Sequence, residues 1–206
     1  MTQKIDPSML DDIASATQLT ASPSDSGKLV QLDATGKVPA AYSSGAVSLS
    51  DGRALMLEIA DLKGVALNFS EGFADPFDSD TIGLTSTNET YDASNDYYHN
   101  PSNSDMTLVS VGVTAASAPT TGRITVQAQA VDTITLNTDL TAEISRDGGT
   151  TWTAVTLAAG AVNSSFTLYE GTADISAQPS GTSMKYRVKS LNSKEIRVSG
   201  VVLRWS

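Results

Sequence analysis

From residue 106 onward, apolar and polar positions alternate two by two. Ile124, Val126 and Ala128 alternate with Thr125, Gln127 and Gln129; Leu140, Ala142 and Ile144 with Thr141, Glu143 and Ser145; Met184, Tyr186 and Val188 with Lys185, Arg187 and Lys189. A period of two gives each strand one buried and one wet face, as in an antiparallel sandwich or jelly roll. In the last such stretch Ile196 and Val198 set one phase, while Val201, Leu203 and Trp205 set the other. The change falls at Ser199-Gly200, where a β-bulge is expected to re-aim the side chains.

Upstream the pattern weakens. Asp6, Pro7, Met9, Leu10 and Ile13 predict a short helix ending near Thr17, too short to be stable unless it docks on something. Residues 20–50 read as extended chain punctuated by turns, with too few apolar residues to bury themselves. Over 51–67, Ala54, Leu55, Leu57, Ile59, Leu62 and Val65 fit either a helix with a wide apolar stripe, stopped at Gly64, or a strand as far as Ile59. Propensity leans to the helix. Residues 68–105 form an acidic, turn-rich linker whose rings, Phe69, Phe73, Phe77, Tyr91, Tyr97 and Tyr98, require a surface to pack on. The expected organisation is a mainly β chain. An extended N-terminal arm with one or two short helices (1–50) serves anchoring and assembly. A short helix or strand with the linker (51–105) follows, and an antiparallel β-sandwich or jelly roll (106–206) completes it.

Composition supports this reading, because Thr and Val suit pleated strands and only 17% of the residues are charged. No run approaches the length of a membrane-spanning helix, so no membrane insertion is expected. The start, Met1 to Pro7, lacks a cationic segment followed by an apolar one, so no secretion signal is expected. The absence of cysteine excludes disulfides and thiolate metal sites. Residues 1–105 carry 16 acidic and 5 basic side chains, and residues 106–206 carry 7 and 8. That balance argues against nucleic acid as a partner, since phosphate binding needs a basic footprint.

Chemistry-bearing constellations are sparse. The single histidine, His99, lies in a turn without a nucleophile motif, and no phosphate loop or dinucleotide fingerprint appears. Asp75, Asp78, Asp80, Glu89 and Asp92 are the carboxylates that a glycosidase pair could draw on. The run Asp75–Asp80 also offers oxygens to calcium, but without regular loop spacing. No catalytic residue, metal or cofactor is assigned, and the chain is not expected to be an enzyme. Ser145-Arg146-Asp147-Gly148-Gly149-Thr150-Thr151-Trp152 fits the Asp-box pattern of sialidase propellers. In those enzymes the box is structural and repeated; here it occurs once and predicts a hairpin turn built on Asp147, Gly148, Gly149 and Trp152. Lys185, Arg187 and Lys189, with Arg197, form a basic stripe suited to anionic polysaccharide. Tyr97, Tyr98 and Trp205 are the aromatics to inspect for sugar stacking.

Two passages carry a resemblance. Gly27-Lys28-Leu29-Val30-Gln31-Leu32-Asp33-Ala34-Thr35-Gly36-Lys37-Val38-Pro39-Ala40 is similar to a segment near the start of tailed-bacteriophage tail-fibre and appendage proteins. Gly72-Phe73-Ala74-Asp75-Pro76-Phe77, followed by Ser86 to Asp92 and Tyr97-Tyr98, resembles the linker of phage minor structural proteins. The resemblance implies a multimeric virion component, with a homo-trimer and other virion proteins as expected partners. It is anchored through residues such as Leu29, Val30, Leu32, Val38 and Pro39. Its β-sandwich is displayed, with Tyr97, Tyr98, Lys185, Arg187 and Lys189 as candidate contacts to host surface polysaccharide. A short tail-fibre subunit is the leading expectation; a head fibre or capsid decoration protein with a purely architectural role is the alternative.

Overall fold

The computed structural model describes residues 49–78 and 85–206. The expected anchoring segment, with Leu29, Val30, Leu32, Val38 and Pro39, the early helix and Asp80 all lie outside the described residues. The chain enters the described part through α1 (Leu49–Ala66), so the ambiguous segment is helical and runs past Gly64. Twelve strands follow: β1 (Glu71–Asp75), β2 (Thr90–Asp92), β3 (Tyr97–His99), β4 (Met106–Val109), β5 (Val113–Thr114), β6 (Thr121–Ala130), β7 (Leu140–Ser145), β8 (Thr153–Val155), β9 (Ala158–Asn163), β10 (Phe166–Asp174), β11 (Ser183–Ser190) and β12 (Ile196–Trp205). They form two sheets in a sandwich. A seven-stranded sheet runs β2-β3-β12-β6-β10-β9, with β1 also on β12. A five-stranded sheet runs β4-β11-β7-β8, with β5 also on β11. Every ladder is antiparallel.

The period-two strands meet in one core. Ile124, Val126 and Ala128 of β6 and Ile196, Val198, Val201, Leu203 and Trp205 of β12 face Leu140, Ala142, Ile144, Met184, Tyr186 and Val188 of the opposite sheet. The phase change in β12 is a bulge: the register against β6 shifts between Val198 and Gly200. Gly200 is the residue that lets α1 approach, since a Cβ there would overlap Leu57 of the helix and lie 3.0 Å from the Asp75 carbonyl oxygen.

The segment expected to be a linker is part of the sandwich. β1 pairs with the second half of β12, and β2-β3 pair with its first half. Its aromatic residues drive this docking. Phe77 and Tyr98 are buried and meet edge to face at 5.0 Å, with Tyr91 at 5.1 Å from Tyr98. Asn100, 1% exposed, fixes the end of the segment: its amide nitrogen donates to the Ser104 and Lys194 carbonyls and its oxygen accepts from the Ile196 N–H.

Two buried or half-buried carboxylates behave oppositely. Asp147 organises the β7–β8 turn as the Asp-box pattern predicted. Its carboxylate accepts hydrogen bonds from the Ser145 hydroxyl, the Thr150 and Thr151 N–H groups and the Thr151 hydroxyl, at 2.7–3.1 Å. Gly148 and Gly149 take φ of 76° and 93°, and the Trp152 indole donates to the Gly149 carbonyl. Burial opposes the Asp147 charge, but these bonds outweigh it and hold its pKa at about 2. Asp75 is different. It lies in the interior, 4% exposed, accepting from the Tyr186 hydroxyl at 2.6 Å, and burial raises its pKa despite bonds from Tyr186 and Phe77.

The depressed pKa of Asp147 makes its contribution complete above the unfolded carboxylate value of about 3.9, and lost as pH falls from there towards 2. Asp147→Ala should therefore cost about 1.5–3 kcal/mol at neutral pH, with the deficit shrinking in thermal melts below pH 3. For Asp75 the raised pKa means the folded state holds the proton longer, so its effect on stability worsens as pH rises past the unfolded value. Asp75→Asn keeps an acceptor for Tyr186 without the charge and should match or exceed wild-type stability at pH 7, the difference vanishing in acid. Asp75→Ala leaves the Tyr186 hydroxyl unpaired and should lose about 1–3 kcal/mol in the same melts.

Candidate functional site

The outer face of the seven-stranded sheet is divided in two. One end lies under α1, where Leu57 and Ala60 pack on Leu168 and Val202. Thr125 and Gln127, expected on a wet face, are 1% and 0% exposed. Gln127 is satisfied by donating to the Arg53 carbonyl and accepting from the Ser199 hydroxyl. The helix covers that half-face, and polar groups beneath it need internal partners.

The other end is open and forms a cleft of about 490 Å³. Its floor holds Phe166, and its walls carry Tyr97, Arg197 and Gln129 from β3, β12 and β6, with Arg53 at the boundary with the helix. Ser94 and Asn95 of the β2–β3 turn and Asn163, Ser164 and Ser165 of the β9–β10 turn form the rim. Both turns are set by local chemistry. The Asp92 carboxylate accepts from the Ser94 N–H and the Asn95 side chain at 2.9 Å, an Asx turn. Ser164 takes the left-handed region, φ 57°, in the β9–β10 hairpin.

Within the cleft, rings and guanidinium groups interleave. Tyr97 and Phe166 have centroids 6.4 Å apart, Arg197 lies 5.4 Å from the centre of the Tyr97 ring, and Arg53 lies 4.9 Å from that of Phe166. Arg197 is held by the Glu195 carboxylate at 2.9 Å and contacts the Gln129 amide oxygen at 3.5 Å. Arg53, 7% exposed, donates to the Asn95 carbonyl at 2.5 Å. Burial pushes its pKa down, with Asp96, Tyr97 and Tyr91 opposing. Burial also raises the Tyr97 phenol pKa, helped by Asp92. The cleft offers a half-buried aromatic wall, three amide side chains, hydroxyls and two cations, and none of its lining residues is acidic.

The structure separates the residues grouped by sequence. Tyr97 lines the cleft, whereas Tyr98, its neighbour on β3, points the other way into the core at 3% exposure and leaves the candidate set. Trp205, 2% exposed, leaves it too. Lys185, Arg187 and Lys189 alternate outward on β11 as expected, but on the five-stranded sheet. There Glu143 pairs with Arg187 at 2.5 Å and Lys189 at 2.8 Å, and Arg187 lies 4.4 Å from the centre of a Trp152 ring. Two of the three cations are thus already partnered. Arg197 does not belong to that stripe; it sits on β12 and serves the cleft. His99 pairs with Arg197 across β3–β12 and meets the Tyr97 ring. Of the carboxylates, Asp75 is turned to Tyr186 and Asp92 to its turn. Among the described residues no group of three His, Cys, Asp or Glu is placed to hold a metal ion. No described helix is long and apolar enough to cross a membrane. Arg53, Gln129, Asn163 and Phe166 were not singled out by sequence, because only the sheet order and the docking of α1 bring them together.

No family model matches the chain, and no curated protein sequence matches it. Among solved structures it is similar to the C-terminal CBM6 of a marine laminarinase, LamC, from Zobellia galactanivorans, at 13% identity and TM-score 0.42, over 65% of this chain and 99% of that one. It is also similar to the enzymatically active domain of tailspike protein 4 of bacteriophage CBA120, at 14% identity and TM-score 0.34, over 69% of this chain and 20% of that one.

Proposed function

We propose that this chain is a non-enzymatic adhesion subunit of a bacteriophage particle, and that the cleft beside α1 binds host surface glycan. The observation that carries the reading is the arrangement of Tyr97 and Phe166 with Arg53, Arg197, Gln129 and Asn163 in one open cleft. A pyranose has an apolar C–H face and a rim of hydroxyls. The Tyr97 ring suits the face, and the amides and guanidinium groups suit the rim in the fixed orientations that give specificity. The buried charge of Arg53 favours a saccharide carrying a carboxylate or sulfate, which would offset the desolvation that depresses its pKa. Binding without cleavage fits a lining that lacks the pair of carboxylates glycoside hydrolysis uses. The virion assignment draws on the resemblance of residues 27–40 to phage appendage proteins. Display in several copies, a homo-trimer being the expectation, would raise avidity well above the affinity of one shallow cleft.

The reading is tested by titrating extracted host surface polysaccharide into the full chain, with wild type compared against single variants. Tyr97→Ala should weaken binding about tenfold, equivalent to about 1.4 kcal/mol. Arg197→Ala should weaken the preference for the acidic polysaccharide over its carboxyl-reduced form without abolishing it, since Arg53 remains, and Lys185→Ala should change nothing. Unchanged binding by Tyr97→Ala with loss in Lys185→Ala would move the site to the basic stripe. No binding by wild type would leave the architectural role, a head fibre or decoration subunit.

A further inference from the structure

The apolar stripe of α1 faces away from the sheet. The side facing the sheet carries Arg53, Leu57, Ala60 and Gly64, all buried. Opposite them Leu55, Ile59, Leu62 and Val65 are 50%, 54%, 66% and 49% exposed. Positions 55, 59, 62 and 66 are occupied by Leu, Ile, Leu and Ala, at successive spacings of four, three and four residues. That is the a/d seam of a coiled coil, with Ile59 and Ala66 at a and Leu55 and Leu62 at d.

We propose that this seam is an interface between copies of the chain, with α1 helices packed parallel and in register. The flanking charges commit it to that occupant and that direction. Glu58 and Lys63 fall at the g and e positions, five residues apart, and both are exposed. In a parallel, in-register pair Glu58 of one copy meets Lys63 of the partner subunit, whereas an antiparallel pair brings g positions together on one side and e positions on the other, so that Glu58 and Lys63 never meet. Lys63 also bonds Glu170 within its own chain at 2.7 Å, and its side chain remains 52% exposed.

The rest of the structure prepares the helix for this role. Asp61 is held by two 2.7 Å bonds from Arg204, whose guanidinium also donates to the Phe69 carbonyl at 2.9 Å. Together with Gln127 on the Arg53 carbonyl, these fix the helix on the sheet before any association. A seam of three turns would be too short to order free helices, but here the helix is already formed, so association is spared the cost of nucleating it. This inference is independent of the glycan reading.

The chain contains no cysteine, which gives a clean test. Ile59→Cys and Leu62→Cys place one thiol on the seam of the full chain, and Ala54→Cys places one on an exposed flank of the same helix. Positions 59 and 62, unlike position 54, should meet their own copies across a parallel seam at distances a disulfide can bridge. Under mild oxidation Ile59→Cys and Leu62→Cys should form a covalent dimer at least about tenfold faster than Ala54→Cys, because packing raises the effective thiol concentration, with melting curves like wild type. Equal rates at all three positions, or no covalent dimer from either seam variant, would overturn the proposal and leave the stripe to the chain's own residues 1–48 or to an unlike protein.

Discussion

Strand β12 must satisfy two partners at once, and the architecture depends on how it does so. One of its faces completes the core between the sheets; the other must serve as the floor of α1 and as a wall of the cleft. A regular strand of ten residues, with a period of two, could not put Ile196, Val198, Val201, Leu203 and Trp205 all inside. The bulge between Val198 and Gly200 resolves this by slipping the phase once. As a result Arg197 points into the cleft, Gly200 and Val202 lie under the helix, and Arg204 reaches Asp61.

The same strand gathers the chain from both ends. β6 runs along one edge of β12, while β1 and β3 share the other. Because β3 is held there with Tyr98 in the core, Tyr97 must face outward beside Arg197. The aromatic wall of the cleft is therefore a consequence of core packing two atoms of backbone away rather than of a dedicated loop. Polar groups follow the same logic: Gln127 is buried but bonded to the helix, whereas Gln129, one repeat further on the same face, is left free of the helix and lines the cleft.

The sandwich was legible in the sequence wherever one face was wet, as in β7 and β11, since alternation is then visible residue by residue. The bulge was legible too, because it inverts the alternation at a glycine. β1 to β3 were not, because strands of three to five residues amid turn chemistry leave too little periodicity; their aromatic content signals burial, but rings alone do not distinguish a strand from a loop packed on a surface. Thr125 and Gln127 looked solvent-facing because the helix that covers them is distant in sequence. The helix itself was readable by propensity but not by orientation, for its apolar residues mostly point outward and the sheet is met instead by Leu57, Ala60, Gly64 and an Arg–Asp pair. The Asp-box turn was legible, since the bonds to the Asp147 carboxylate and from the Trp152 indole are all local. The cleft was barely so: Tyr97 was found by residue type, but Gln129 and Phe166 converge through sheet order and Arg53 through the docking of α1.

The central claim is that the glycan surface lies on the outer face of the seven-stranded sheet, beside α1. Hydrogen–deuterium exchange of the full chain, with and without host surface polysaccharide, tests it most directly. The account predicts added protection in residues 92–97, 127–131 and 162–167, with β7 and β11 unchanged. Protection confined to β7 and β11, or none anywhere at saturating polysaccharide, would contradict it.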